Sequence, residues 1–89
     1  MQDISFTTHV FKEGEMYVAY APELDLSSCG ETPAQARANI QDAVKGLLET
    51  AEEIGTLKEV LEESGYQHRD GQWVAPEFVS VDHLKVAIS

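Results

Sequence analysis

One cysteine, six basic residues and no long apolar run set the first limits on this 89-residue chain. The lone thiol, Cys29, excludes an internal disulfide and a cysteine-built zinc site. No apolar stretch nears the roughly 20 residues that span a bilayer. The opening MQDISF lacks the basic and apolar regions of a secretory signal. A soluble, cytoplasmic protein is therefore expected. The three histidines, His9, His68 and His83, fall at no HxH or HxxxH spacing, so each reads as an ordinary exposed side chain rather than a metal ligand. Repeats, low-complexity tracts and linkers are missing as well, which leaves one small domain over residues 1–89. No metal and no cofactor is expected.

The shortage of Lys and Arg matters most. Against those six stand 16 Asp and Glu, a formal charge of −10. Direct binding to a nucleic acid backbone is disfavoured, because that affinity comes from Lys and Arg displacing counterions. A solvated surface or a basic protein partner is compatible. With 43% apolar residues the chain is too hydrophobic for a disordered acidic tail.

What is present is chiefly one helix. Thr32 reads as its N-cap, Pro33 as its first residue, and Gln35 as the partner of Thr32 in a capping box. Ala36, Ile40, Ala43, Val44, Leu47, Leu48, Ala51 and Ile54 recur in steps of three and four and define the inner face. Gly55 is the stop. Thr56 and Glu59 suggest a second capping box opening a short helix that ends at Gly65.

Ahead of the long helix, residues 4–11 alternate as a strand, a polar loop carries Gly14, and residues 16–21 form a second, central strand closed by Pro22. Residues 23–28 read as a short, polar edge strand. Behind the helices, Asp70-Gly71 marks a turn. A final strand is expected over about 78–88, with an irregularity at Asp82-His83. The fold class is α+β: a single mixed sheet, a three-stranded meander plus one C-terminal strand, packed on one long and one short helix.

The run from Met16 to Val44 resembles the HicB-like family, the antitoxin halves of HicA–HicB toxin–antitoxin pairs. The resemblance is carried by Tyr20, Pro22, Glu23-Leu24, Ser27-Ser28-Cys29, Gly30-Glu31-Thr32 and Ala36, and downstream by residues 57–61 with Gly65-Tyr66. Gln35 stands where the family often has Glu. The resemblance implies a partial ribonuclease-H-like fold. It also implies a HicA-like partner, a small basic RNA-cleaving toxin that the protein would bind and neutralise. The DNA-binding domain of longer members is not carried over.

A ribonuclease-H-like outline raises the question of catalysis, since such enzymes gather carboxylates around divalent ions. Asp3, Glu23, Asp25, Asp42 and Glu49 are the candidates, but no DxD or acidic–His pair stands among them. The expectation is no enzyme, with a metal-dependent nuclease as the second alternative. The first alternative is a solitary domain that self-assembles or binds a ligand. Between Asp42 and Glu63 lie seven carboxylates against Lys45 and Lys58. Glu23, Asp25, Asp42, Glu49, Glu52 and Glu53 are the expected partner-binding residues. Leu24, Leu26 and Ser27 on the polar edge are the expected interface of a homo-oligomer, with Tyr17, Tyr20 and Trp73 as possible aromatic anchors. Cys29 is expected to be a small buried thiol.

Overall fold

A computed structural model describes residues 3–89 of the chain. Three strands, β1 (His9–Glu13), β2 (Met16–Ala21) and β3 (Leu26–Gly30), form an antiparallel sheet in the order β1-β2-β3. The helix α1 (Pro33–Ile54) lies on one face of it. A shorter helix α2 (Leu57–Glu63) follows, and then a separate hairpin, β4 (Gln67–Arg69) and β5 (Gln72–Val74). The α+β class is thus observed.

Register explains which residues are inside. Val10 pairs with Ala19, Ala19 with Ser28, and Ala21 with Leu26. Side chains alternate across a strand, so this set faces the helix. Ala19 and Ala21 are fully buried against Ala36, Ile40 and Val44, with Phe6, Val10, Tyr17, Leu24, Leu26 and Leu48 packed around them. The opposite face carries Phe11, Val18 and Tyr20, with Ser27 and Cys29 of β3, and no helix among the described residues covers it. Cys29 is exposed there rather than buried. It occupies the outward position of an edge strand, one residue before the inward Gly30.

α1 begins as its cap chemistry requires. The Thr32 hydroxyl accepts from the Gln35 amide at 3.0 Å, while Gln35 turns its own side chain to Asn39 at 2.9 Å instead of back to the cap. The box is half made. At the far end Gly55 takes φ 81°, the Gly55 amide donates to Glu52 O, and the Thr56 amide donates to Ala51 O. That bond pair is a Schellman stop. The same pair recurs after α2, where Gly65 and Tyr66 donate to Glu62 and Leu61. Because Thr56 is spent closing α1, its side chain does not cap α2. The expected second capping box is absent for that reason.

Four features differ from the sequence expectation. β1 starts at His9 rather than Ile4; β2 ends at Ala21, one residue beyond the Tyr20 that pairs with His9, and offers nothing opposite residues 4–7. β3 runs Leu26–Gly30 rather than 23–28: residues 22–25 form a turn, closed by Leu24 N to Ala21 O, with Asp25 at φ 50°. Leu47 and Ile54 belong to the apolar stripe yet are exposed. A 22-residue helix is about 33 Å long, and strands of five or six residues are too short to underlie all of it. Most consequential, the mixed sheet with a fourth, C-terminal strand is not formed. Asp70 and Gly71 both take positive φ, the requirement of a two-residue type I′ hairpin. They fold Trp73 and Val74 back onto residues 67 and 68, and Trp73 stacks beside His68 at 4.7 Å. Pro76 follows and has no N–H to give a ladder. Residues 78–88 then lack regular structure and any backbone hydrogen bond to the other described residues.

Gly30 lies close against the first turn of α1. A Cβ on Gly30 would stand 2.6 Å from the Ala36 amide nitrogen and 2.9 Å from the Gln35 carbonyl carbon, both backbone atoms that cannot swing aside. Gly46, in the middle of α1, has open space around it. The two positions therefore respond oppositely to the same change. Gly30→Ala is expected to destabilise by about 1–3 kcal/mol through overpacking. Gly46→Ala is expected to stabilise by roughly 0.5–1 kcal/mol through helix propensity. Urea unfolding followed by circular dichroism measures both; equal signs would sink the close-approach account.

Candidate functional site

The inner stripe of α1 sets where its carboxylates point. At 100° per residue, Asp42, Glu49 and Glu53 fall within a narrow arc opposite Ile40, Val44 and Ala51, and all three are exposed. Glu52 lies on the flank, also exposed. Four of the six residues expected to meet a partner thus occupy one side of one rigid helix.

Beside that stripe runs an open groove of about 620 Å³. Its walls are the segment at Asp3, Ile4 and Phe6, the flank of α1 from Gln41 to Glu52, and Leu57 of α2. Val44, Leu48 and Phe6 supply apolar lining, Asp3, Glu49 and Glu52 supply negative charge, and Lys45 is the cation among the lining residues. The groove is not legible in the sequence. It depends on how residues 3–7 are tied down, and that is settled by two long-range contacts.

The first is Glu23. Both of its carboxylate oxygens accept from the Thr7 amide, at 3.0 and 2.9 Å. A carboxylate replaces the strand partner that β2 cannot provide, so Glu23 braces the fold and is not free on the partner face. The second is Tyr66, 2% exposed, whose hydroxyl donates to the Ser5 carbonyl. Neither partner is close in sequence, and no local motif signals the pairing. Asp25 is also spent locally: the Tyr20 hydroxyl donates to its Oδ1 at 2.8 Å across the β2–β3 turn. This bond, more than burial or charge, raises the Tyr20 pKa.

Leu24 and Leu26 pack against the protein's own core. Ser27 alone of the expected interface set is exposed. Tyr17, Tyr20 and Trp73 are half-buried, with Lys12 Nζ 5.9 Å from the Tyr17 ring centre. Among the described residues, no group of three or more His, Cys, Asp or Glu side chains is arranged to hold a metal ion. Asp3 and Glu49 share the groove, whereas Asp25 belongs to the turn beside Tyr20. No helix among the described residues is long and apolar enough to cross a membrane.

Tyr66 provides a test of how the groove wall is held. Burial, and secondarily the negative charge of Glu23, push its pKa from 10.0 up to about 12. The folded state therefore binds this proton more tightly than the unfolded chain. Its contribution is complete below pH 10 and is lost as the pH rises from 10 through about 12. Tyr66→Phe removes the proton and the bond to Ser5. The stability difference between wild type and Tyr66→Phe is expected to be constant near neutrality, about 0.5–1.5 kcal/mol in favour of wild type, and to shrink through that alkaline window. A difference that stays flat there would remove Tyr66 from the account. No family model, curated protein or solved structure matches the chain.

Proposed function

We propose that this protein is a HicB-like antitoxin-type binding protein, which neutralises a small basic RNA-cleaving toxin by covering its RNA-binding surface. The observation that carries the reading is the exposed stripe of Asp42, Glu49 and Glu53 on the side of α1 opposite its buried face. A helix held by its apolar side presents these charges in a fixed array. A surface built to grip phosphates is complementary to such an array. Glu52 and the groove extend the same negative field around the flank.

The residues that carry the family resemblance support the reading in a different way, through the fold. Glu23 braces Thr7, Gly30 admits the helix, and Thr32 caps it. Their roles in this chain are architectural. Partner choice on this reading lies in the helix exterior.

Co-expression with the product of a neighbouring short, basic reading frame tests the proposal. A stable complex that blocks RNA cleavage by that product is expected. The double variant Glu49→Lys/Glu53→Lys, which alters no buried position, should weaken the complex roughly tenfold or more at low salt. The gap should narrow near 1 M salt, where the screening length falls to about 3 Å. Absence of a complex sinks the antitoxin reading. A complex indifferent to the charge reversal sinks the assignment to α1.

A further inference from the structure

Residues 79–89 are the part of the chain that the fold does not use. Val79, Val81, Leu84, Val86 and Ile88 are 76 to 94% exposed. They repeat every second residue, with one break in step at Asp82-His83, where the Ser80 hydroxyl bonds to Asp82 at 2.7 Å. Such spacing is that of a strand with one apolar face. The segment makes no backbone hydrogen bond to the described residues, so it has the pattern of a strand and no neighbour among them. Its projection shows in the molecule's shape: the radius of gyration is 15.2 Å, against about 12 Å for a compact chain of this length.

The same chain carries an acceptor for it. The sheet has two open edges. On β3 the Cys29 carbonyl accepts from Asn39 Nδ2 at 2.7 Å, and the strand ends at the helix entry. On β1 nothing among the described residues bonds to the outer edge. Beside that edge lies a partly apolar sheet face on which Phe11 and Met16 are exposed and Val18 is half-buried. The arm also departs from this edge, since the Phe78 and His9 rings lie 6.5 Å apart.

We propose that the protein is an arm-exchanged homodimer, in which residues 79–89 of each copy add as a strand to the β1 edge of the other. The arm leaves its own β1, so a twofold axis beside the two β1 strands delivers each arm to the other copy's edge, and the contact closes on itself. Val86 and Ile88 then cover Phe11 on the open face of the second copy. Charge selects a second copy as the occupant. A chain of net −10 repels itself through α1, whereas the two exchanged surfaces are neutral. The arm carries one Asp and one Lys, −1 + 1 = 0, and β1 carries Lys12 and Glu13, again 0. An open edge met by an extended segment is the geometry of strand addition.

Sedimentation of the full chain is expected to give twice its 9.8 kDa mass. In a mixture of ¹³C-labelled and unlabelled protein, nuclear Overhauser contacts should connect the Val86 and Ile88 methyls of labelled copies to the Phe11 ring of unlabelled ones. The variant Leu84→Glu/Val86→Glu should sediment as a monomer and keep the helical circular dichroism of wild type. A monomeric wild type, a dimer without those intermolecular contacts, arm contacts confined to a single copy, or a variant that remains dimeric would each overturn the proposal. A monomer keeps α1 intact, so failure here leaves the reading of the acidic face untouched.

Discussion

Helix α1 can rest on the sheet only because nothing projects from Gly30. The amide of Ala36 occupies the space a side chain would fill, and the facing residues on β2, Ala19 and Ala21, are equally small and fully buried. A short reach between helix and sheet gives a thin core with few large residues; Ile40 and Leu61 are the largest fully enclosed side chains. In a chain this short little apolar surface is available, so the fold relies on fit and on well-made helix ends. The Thr32 cap fixes the entry of α1 directly after Gly30. Two Schellman stops, four bonds in all, bring α2 back and place Tyr66 under it. From there Tyr66 reaches Ser5, and the segment that walls the groove is secured.

The same constraint aims the charge. A helix seated on alanine and glycine cannot roll without clashing, so its buried arc and its acidic arc are set together. Asp42, Glu49 and Glu53 face outward as a consequence of Ile40, Val44 and Ala51 facing in. Charge on a fixed element can be complementary to a partner; the same charges on a mobile loop would lose entropy on ordering.

How much of this was legible in the sequence follows from the range of the interactions. Elements governed by local chemistry were readable: α1 runs from Pro33 to Ile54 between Thr32 and Gly55, β2 is central, and β1 and β2 meet in a hairpin. Features settled by residues far apart were not. Glu23 looked like a surface carboxylate, yet it completes the hydrogen bonding of Thr7, 16 positions earlier. Tyr66 bonds to a residue 61 positions away. With no base beside it in sequence Cys29 is expected to be a small buried thiol, but strand parity sends it outward. At the C-terminal end the apolar alternation predicts a strand over about 78–88, and no strand forms there. Pattern specifies a face, however, and not a partner, and the Asp70-Gly71 turn diverted residues 73 and 74 into a hairpin of their own.

That last difference separates two jobs within a small protein. An unpaired strand pattern is an unmet demand: five aliphatic side chains in water are a cost that only another surface removes. The acidic helix cannot meet it, because its surface is charged and faces away from the sheet edge. The uncovered sheet face can, and it lies on the opposite side of the sheet from α1. Proposed self-association through β1 and proposed toxin binding through α1 therefore draw on different sides of one three-stranded sheet. Each can occur without blocking the other. A dimer built this way would present two acidic helices at once, so a partner held by both gains from effective concentration without any new contact.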